Sequence, residues 1–313
     1  MKAYMFGVDV GGTTVKLGLF RTTGELEDKW EIPTNTENGG ARILPDIAGA
    51  IRDKLKEKDI APQDVEGVGI GVPGAVLDSG VVNRCVNLGW GVTDVKQLLS
   101  GYLDGMRVEV GNDANVAALG EMWNGGGKGY QNIVMVTLGT GVGGGVILNG
   151  RILSGSTGAA GELGHFKVNA EETETCGCGK KGCLEQYASA NGIARMAAKR
   201  LAAEPETETV LRKLPKPTSK DIFDAAKQGD AFAASLVEQV GELLGKACAY
   251  VSCTVNPEAF VIGGGVSKAG PIVTDTIERY HRKMAFHACE NTRFELAVLG
   301  NDAGIYGAAR MLL

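Results

Sequence analysis

The chain has 313 residues, 44% of them hydrophobic and 22% charged, and its net charge of −5 excludes general electrostatic attraction to nucleic acid or anionic membrane. It exceeds the usual single-domain size, so two domains are expected, and no apolar run is long enough to span a bilayer. Seven cysteines, an odd number, do not suggest a disulfide framework, and an opening that meets Asp9 without a hydrophobic region is no signal peptide, so a cytoplasmic location is expected.

YMFGVDV reads as a strand, GGTT as a turn and VKLGLF as a second strand. A helix-like segment covers 39–58, followed by the buried strand VEGVGIGVP and a loop. RVEVGN is a short strand leading into the helix DANVAALGEMW. NIVMVTL, GTGVGG and GVILNG then repeat the opening plan. Without gaps, 6–20 and 134–148 agree in hydrophobic pattern and turn position, though hardly in identity, which suggests a duplicated domain plan. A cysteine-rich loop and helical sequence follow, including GDAFAASLVEQVGELLGKACAYVSCTV. Residues 202–219, rich in proline and charge, read as a mobile connection. AFVIGG, a helix, FELAVLG and the helix DAGIYGAARMLL complete an α/β alternation in both halves.

Glycine, at 47 residues, is the compositional outlier, and it is concentrated in turns. GTGVGG at 139–144 matches G-x-G-x-x-G, with Glu162 at roughly the distance of a ribose-binding acid. The glycines run into a strand rather than a helix, so a dinucleotide fold is refused. No P-loop is present. Glycine hairpins can still offer N–H groups to phosphate, and a carboxylate such as Asp9 can hold Mg²⁺ through water, with Thr13, Thr14 and Thr140 adding hydroxyls. VIGGGVS, 261–267, lies between a strand and a helix-like segment, so its N–H groups could face a nucleotide. For either glycine hairpin a plain tight turn is the alternative, and for VIGGGVS a plain strand-to-helix turn.

CGCGKKGCLE, 176–185, has three cysteines, and His165 supplies a fourth donor. The array His165-x10-Cys176-x-Cys178-x4-Cys183 suits a tetrahedral Cys₃His zinc site. The alternative is a group of reduced loop cysteines beside an unrelated histidine. Cys85, Cys248, Cys253 and Cys289 read as packing residues. At the strand–helix junction, Asn112 or Asp113 is by default an N-cap.

In this order, DVGGTT, GNDANVAALGE, LGTGVGGG, GELGH, CGCGKKGCLE and VIGGGVS resemble the ROK family, and within it sugar kinases of the bacterial glucokinase type. The resemblance runs from residue 6 to the final helix. It implies a two-lobed actin-like ATPase (ribonuclease H-like) fold, each lobe a mixed five-stranded sheet with flanking helices, with ATP and sugar in the cleft. Residues 1–118 plus 300–313 would form the small lobe and 119–299 the large lobe carrying the zinc loop. The implied reaction is ATP-dependent phosphorylation of glucose to glucose 6-phosphate, with Asp113 as the base. A helix N-terminus favours the ionised carboxylate, and in a loose phosphoryl-transfer transition state orientation counts for more than basicity.

The resemblance also implies a sugar site of Gly74, Asn87, Asn112, Asp113, Glu162, His165 and Glu185. PGAVLDSGVVNRCVNLGW, 73–90, resembles the family's sugar-side loop, and Trp90 there reads equally as pocket lining or core. ATP and Mg²⁺ would involve Asp9, Gly11, Gly12, Thr13, Thr14, Thr140, Gly141, Gly263, Gly264 and Gly265. Zinc on His165, Cys176, Cys178 and Cys183 would fix Glu162 and Glu185 in place. Family members with DNA-binding helices carry them before the first hairpin, where this sequence begins, so the repressor form is not expected. A homo-oligomer, dimer or tetramer, is. Two alternatives stand: a kinase for N-acetylmannosamine, N-acetylglucosamine or fructose, and a non-catalytic sugar sensor of the same fold.

Overall fold

The alternating apolar segments and glycine turns form paired strands in the computed structural model, which describes residues 2–313. The chain opens with β1 (Tyr4–Val10), β2 (Thr14–Arg21), β3 (Leu26–Pro33), α1 (Glu37–Gly40), α2 (Ile43–Glu57) and β4 (Val65–Val72). It continues through β5 (Val81–Val82), β6 (Thr93–Asp94), α3 (Val95–Tyr102), β7 (Val108–Asn112) and α4 (Asp113–Asn124). Next come β8 (Ile133–Leu138), β9 (Val142–Leu148), β10 (Arg151–Ile152), α5 (Glu185–Ala188), α6 (Ala190–Ala203) and α7 (Ser219–Lys227). The last elements are α8 (Ala231–Val255), β11 (Ala259–Gly263), α9 (Pro271–Met284), β12 (Arg293–Leu296) and α10 (Ala303–Arg310).

Two five-stranded sheets share one plan, ordered β3-β2-β1-β4-β7 and β10-β9-β8-β11-β12. In the first, β1, β2 and β3 pair antiparallel while β1, β4 and β7 pair parallel. In the second, β9 and β10 pair antiparallel while β8, β11 and β12 pair parallel. The duplicated plan read from 6–20 and 134–148 is thus present in the strand order. β3 is absent from the sequence reading because LEDKWEIP alternates half-buried with exposed positions and carries charges between its apolar residues.

The chain divides into two compact units: Met1–Gly129, Gly145–Gly161 and Asn301–Leu313 form one, Tyr130–Gly144 and Glu162–Gly300 the other. The expected boundary at 118/119 falls inside the continuous helix α4, which lies wholly in the first unit. The core of that unit gathers Phe6, Val8, Leu17, Ile47, Ile70 and Leu99. Trp90 joins this core, 6% exposed, and its indole N–H donates to the Gly40 carbonyl at 3.3 Å. Of the two readings for Trp90, the structure therefore shows core.

Residues 202–219 are not the loose connection expected from their composition. Asp230 accepts the Thr209 hydroxyl at 2.7 Å and the Val210 N–H at 2.8 Å. The Arg212 guanidinium donates to the carbonyls of Leu201, Glu204 and Thr207, and Leu211 is buried. Charge and proline here hide a segment tied down by hydrogen bonds to main-chain atoms. Among the described residues, no helix is long and apolar enough to cross a membrane.

His281 of α9 is fully buried, with its ring centroid 5.8 Å from Phe260 and 5.1 Å from Phe294. Its Nε2 lies 2.8 Å from the Ser252 hydroxyl, while Nδ1 has no partner among the described residues. Burial, and then the charge of Arg282, lower its pKa to about 4. The folded chain holds this imidazole neutral while the unfolded chain protonates it near pH 6.5. Its contribution to stability is therefore present above that value and is lost as pH falls towards 4. In urea titrations, the wild type should lose stability over this window more steeply than His281→Gln; parallel pH curves would count against a neutral buried imidazole.

Candidate active site

In the first unit, Asp9, next to last in β1, pairs across the ladder with Lys16 of β2. The Gly11 N–H donates to the Thr14 carbonyl at 3.0 Å, and the Thr34 hydroxyl to the Gly11 carbonyl at 2.7 Å. This closes a turn in which Gly12 and Thr13 stay exposed. The Asp9 carboxyl lies against Gly304 of α10, where a Cβ would overlap it. Burial first, then the charge of Asp113, push the Asp9 pKa up to about 6, while Lys16 acts in the opposite direction. The two carboxyls therefore share one electrostatic site. A carboxylate that is costly to ionise next to another anion is suited to a cation or its waters.

Asn112, not Asp113, is the N-cap of α4. Its Oδ1 accepts the N–H groups of Ala114 and Asn115 at 3.0 and 3.1 Å. Its Nδ2 donates to the Gly74 carbonyl at 3.0 Å and to Asp113 Oδ1 at 2.9 Å. Both donors and the acceptor of Asn112 are thus engaged within the protein, including a contact with Gly74, the proposed sugar-side residue. Asp113 occupies the first helical position, half-buried, and its Oδ1 also accepts the Ala114 N–H at 2.8 Å. Gly74 has φ +100°, and a Cβ there would crowd the Arg84 carbonyl, so the loop takes its course only with glycine. Asn87 is exposed on a short 3-10 turn.

In the second unit, His165, Cys176, Cys178 and Cys183 come together, with one donor atom from each lying within 4.8 Å of all the others. The Cys178 and Cys183 sulfurs are 3.6 Å apart, and His165 Nδ1 is 4.0 Å from the Cys176 sulfur. Tetrahedral zinc with Zn–S of about 2.3 Å needs sulfurs about 3.8 Å apart, so the donor set fits that ion. Burial and the neighbouring thiols push Cys183 up to about 12. Burial raises Cys176, whereas Cys178 is lowered, chiefly by the Lys180 backbone N–H. Cys176 and Cys183, which resist ionisation on their own, are the thiols a bound divalent cation would have to deprotonate. His165 Nε2 faces the opposite way, 3.8 Å from the largely exposed Glu162 carboxylate.

Glu185 opens α5 two residues after Cys183. Its Oε2 accepts the Val142 N–H at 3.0 Å and its Oε1 lies 3.6 Å from the Cys176 sulfur. A Cβ on Gly141 would overlap the same carboxylate. One side chain thus links the cysteine cluster to the turn carrying Thr140 and Gly141, a link that spacing alone did not reveal. That turn is closed by the Gly139 N–H donating to Gly141, and the Ala190 N–H of α6 donates to Gly139. Gly264, at φ +85°, lies against the Leu138 backbone, so the turn at 263–265 adjoins the turn at 139–141. Gly263, Gly264 and Gly265 lead into a four-residue 3-10 turn, and α9 begins only at Pro271, so no long helix points directly from these glycines. A cleft of about 580 Å³ runs along α6 beside Asn191, Ala194 and Arg195, with Leu211 and Pro217 opposite. The Asn191 amide donates to the Thr140 carbonyl at 3.3 Å.

The chain has relatives among known proteins. It is 46% identical to a glucokinase of Halalkalibacterium halodurans over 305 residues, covering 96% of this chain and 92% of that protein. The structure matches a ROK family glucokinase from Streptomyces griseus in complex with glucose and AMPPNP, at 34% identity and TM-score 0.73, covering 98% of both chains. It also matches a ROK hexokinase from Thermus thermophilus, at 30% identity and TM-score 0.78, covering 98% of this chain and 97% of the other. The ROK family model matches residues 5–313. Glycine turns, strand–helix junction and cysteine cluster all fall within that match, and the chain belongs to the ROK family.

Proposed function

We propose that this protein transfers the γ-phosphoryl group of ATP to the 6-hydroxyl of glucose. The observation that carries this reading is Asp113, held at the first position of α4 by Asn112 and the Ala114 N–H and sharing its site with Asp9. The glucokinases among its relatives, one of them in complex with glucose and an ATP analogue, support the choice of substrates.

The bond from the sugar oxygen to phosphorus forms as the bond from phosphorus to the bridging oxygen of ADP breaks. Asp113 accepts the proton that the hydroxyl releases. Its fixed carboxylate orients that hydroxyl, and orientation dominates in a loose transition state. Asn112 acts through Asp113 and through the Gly74 loop. Asp9 would hold Mg²⁺ through water, the ion supplying charge neutralisation at the phosphates. Gly11, Gly12, Thr13 and Thr14 offer backbone and hydroxyl groups to phosphate, as do Thr140 and Gly141 with Gly263, Gly264 and Gly265. Glu162, His165 and Glu185 receive sugar hydroxyls, since carboxylates accept hydrogen bonds that a polyol donates. Asn87 completes the sugar side.

His165, Cys176, Cys178 and Cys183 would hold zinc in a closed set with no open position for substrate, so its role is to shape the site. With Nδ1 on the metal, His165 would present Nε2 beside Glu162. Cys178→Ser should abolish stoichiometric zinc and raise the KM for glucose by about tenfold, with the KM for ATP little changed. Metal analysis with initial rates checks this; zinc absent from the wild type, or an unchanged glucose KM after its loss, contradicts the assignment.

The reaction itself is tested by ADP release with ATP and Mg²⁺ across glucose, fructose, N-acetylglucosamine and N-acetylmannosamine. Glucose should give the highest kcat/KM. Preference for another sugar would move the substrate and keep the chemistry, while sugar binding without turnover would favour a sensor.

A further inference from the structure

The segment entering Cys176 is tied down by a carboxylate that the proposed reaction does not use. The Glu172 side chain is only 5% exposed. Its Oε2 accepts the Tyr187 hydroxyl at 2.6 Å and Arg195 Nη2 at 2.7 Å. Its Oε1 accepts the N–H groups of Thr173 and Glu174 at 3.0 and 3.1 Å. Chiefly the Tyr187 hydrogen bond, with further help from the Glu174 N–H and Arg195, holds its pKa down at about 2. The carboxylate is therefore ionised, buried and saturated with donors.

The same contacts spread to both sides of the cysteine loop. Arg195 Nη1 reaches Glu174 at 2.7 Å, and Nη2 also donates to the Gln186 carbonyl at 3.0 Å. The Gln186 side chain donates to the Glu174 carbonyl at 3.0 Å and accepts the N–H groups of Gly182 and Cys183 at 2.8 and 3.1 Å. The Asn169 amide donates to the Tyr187 hydroxyl at 2.8 Å. Residues on each side of Cys176 and Cys178 are thereby locked to α5, which begins at Glu185, and to α6. None of these bonds involves a donor of the metal cluster through its side chain, so the frame does not require the ion.

We propose that Glu172 is a positioning residue: gripped by Tyr187 and Arg195, it sets the cysteine donors and Glu185 in binding geometry before any metal arrives. The inference rests on reading Glu185 as a sugar ligand and the four donors as a zinc site. A charge that loses its partner while buried is destabilising, whereas a satisfied pair specifies one arrangement. Glu172→Gln removes the charge facing Arg195 and leaves one oxygen where two accept, so either the Tyr187 and Arg195 donors or the Thr173 and Glu174 N–H groups lose their acceptor, and the loop entering Cys176 loosens although its sulfurs are untouched.

The test compares wild type, Glu172→Gln and Tyr187→Phe in three readouts. These are amide hydrogen exchange of residues 174–187 in metal-free protein, zinc transfer from loaded protein to a chromogenic chelator, and KM for glucose against KM for ATP. For Glu172→Gln, exchange and zinc release should each quicken by about tenfold or more, and the KM for glucose should rise by about as much. kcat and the KM for ATP should stay within about twofold, because Asp113 and the glycine turns are untouched. Tyr187→Phe, which removes the bond to Glu172 and the one from Asn169 but keeps the Glu172 charge on Arg195, should act in the same direction and less strongly. Unchanged exchange and zinc release in a folded variant overturns the proposal. If Glu172→Gln does not fold, Tyr187→Phe decides. If the wild type neither binds zinc nor turns over glucose, the functional reading fails by itself, and exchange in the metal-free chain still decides whether Glu172 sets the loop.

Discussion

Helix α10 meets the first sheet backbone to backbone, and the first unit is arranged around that approach. A Cβ on Gly7 of β1 or Gly69 of β4 would overlap the carbonyls of Ile305 and Ala308. On the other side, Gly307 fits against the Val116 carbonyl of α4 and Gly120 against that of Ala303. Three helical glycines cost roughly 3 kcal/mol of intrinsic propensity. Burial of Ile305 and Leu312 with Met5 and Phe20, at about 1.5–3 kcal/mol for each large apolar side chain, offsets this. The consequence for chemistry lies at Gly304, whose missing side chain leaves room for the Asp9 carboxyl. Sheet, α4 and α10 thus bring Asp9 and Asp113 into one electrostatic site, although 104 positions separate them in the chain.

The second unit reaches a related end by different means. Its cysteine loop is nearly devoid of regular structure, so hydrogen bonds rather than an apolar core hold it. Glu185 is the pivot, touching the Val142 N–H, the Cys176 sulfur and the turn that carries Thr140. A change in the cysteine donors would therefore reach a proposed sugar ligand through the Glu185 carboxylate. The Glu172, Tyr187 and Arg195 frame stands behind it, which explains how a loop of lysines and glycines keeps four donors together.

Much of this was legible in the sequence because its signals are local. The alternating strands, the glycine turns and the repeat of 6–20 at 134–148 led to two similar sheets, and the cysteine spacing led to His165 as the fourth donor. What remained hidden depends on partners far away in the chain. Asn112 and Asp113 are equally good caps by residue type, and only the bonds from the Ala114 and Asn115 N–H groups to Asn112 Oδ1 show that Asn112 is the cap. Residues 202–219 look solvent-borne by composition, yet Arg212 and the distant Asp230 tie them down. Glu172 sits in AEETE, a run indistinguishable from surface acid until Tyr187 and Arg195 fold over it. β3 escaped because charged residues interrupt its apolar face.

The central claim is that Asp113 takes the proton of the sugar hydroxyl in an ATP-dependent phosphoryl transfer. The direct measurement is single-turnover formation of glucose 6-phosphate by wild type and Asp113→Asn, with glucose affinity measured calorimetrically on the same samples. The account predicts that the variant binds glucose within a few-fold of wild type while its chemical step slows by about 10²–10⁴-fold. A variant that forms product at close to the wild-type rate would contradict it.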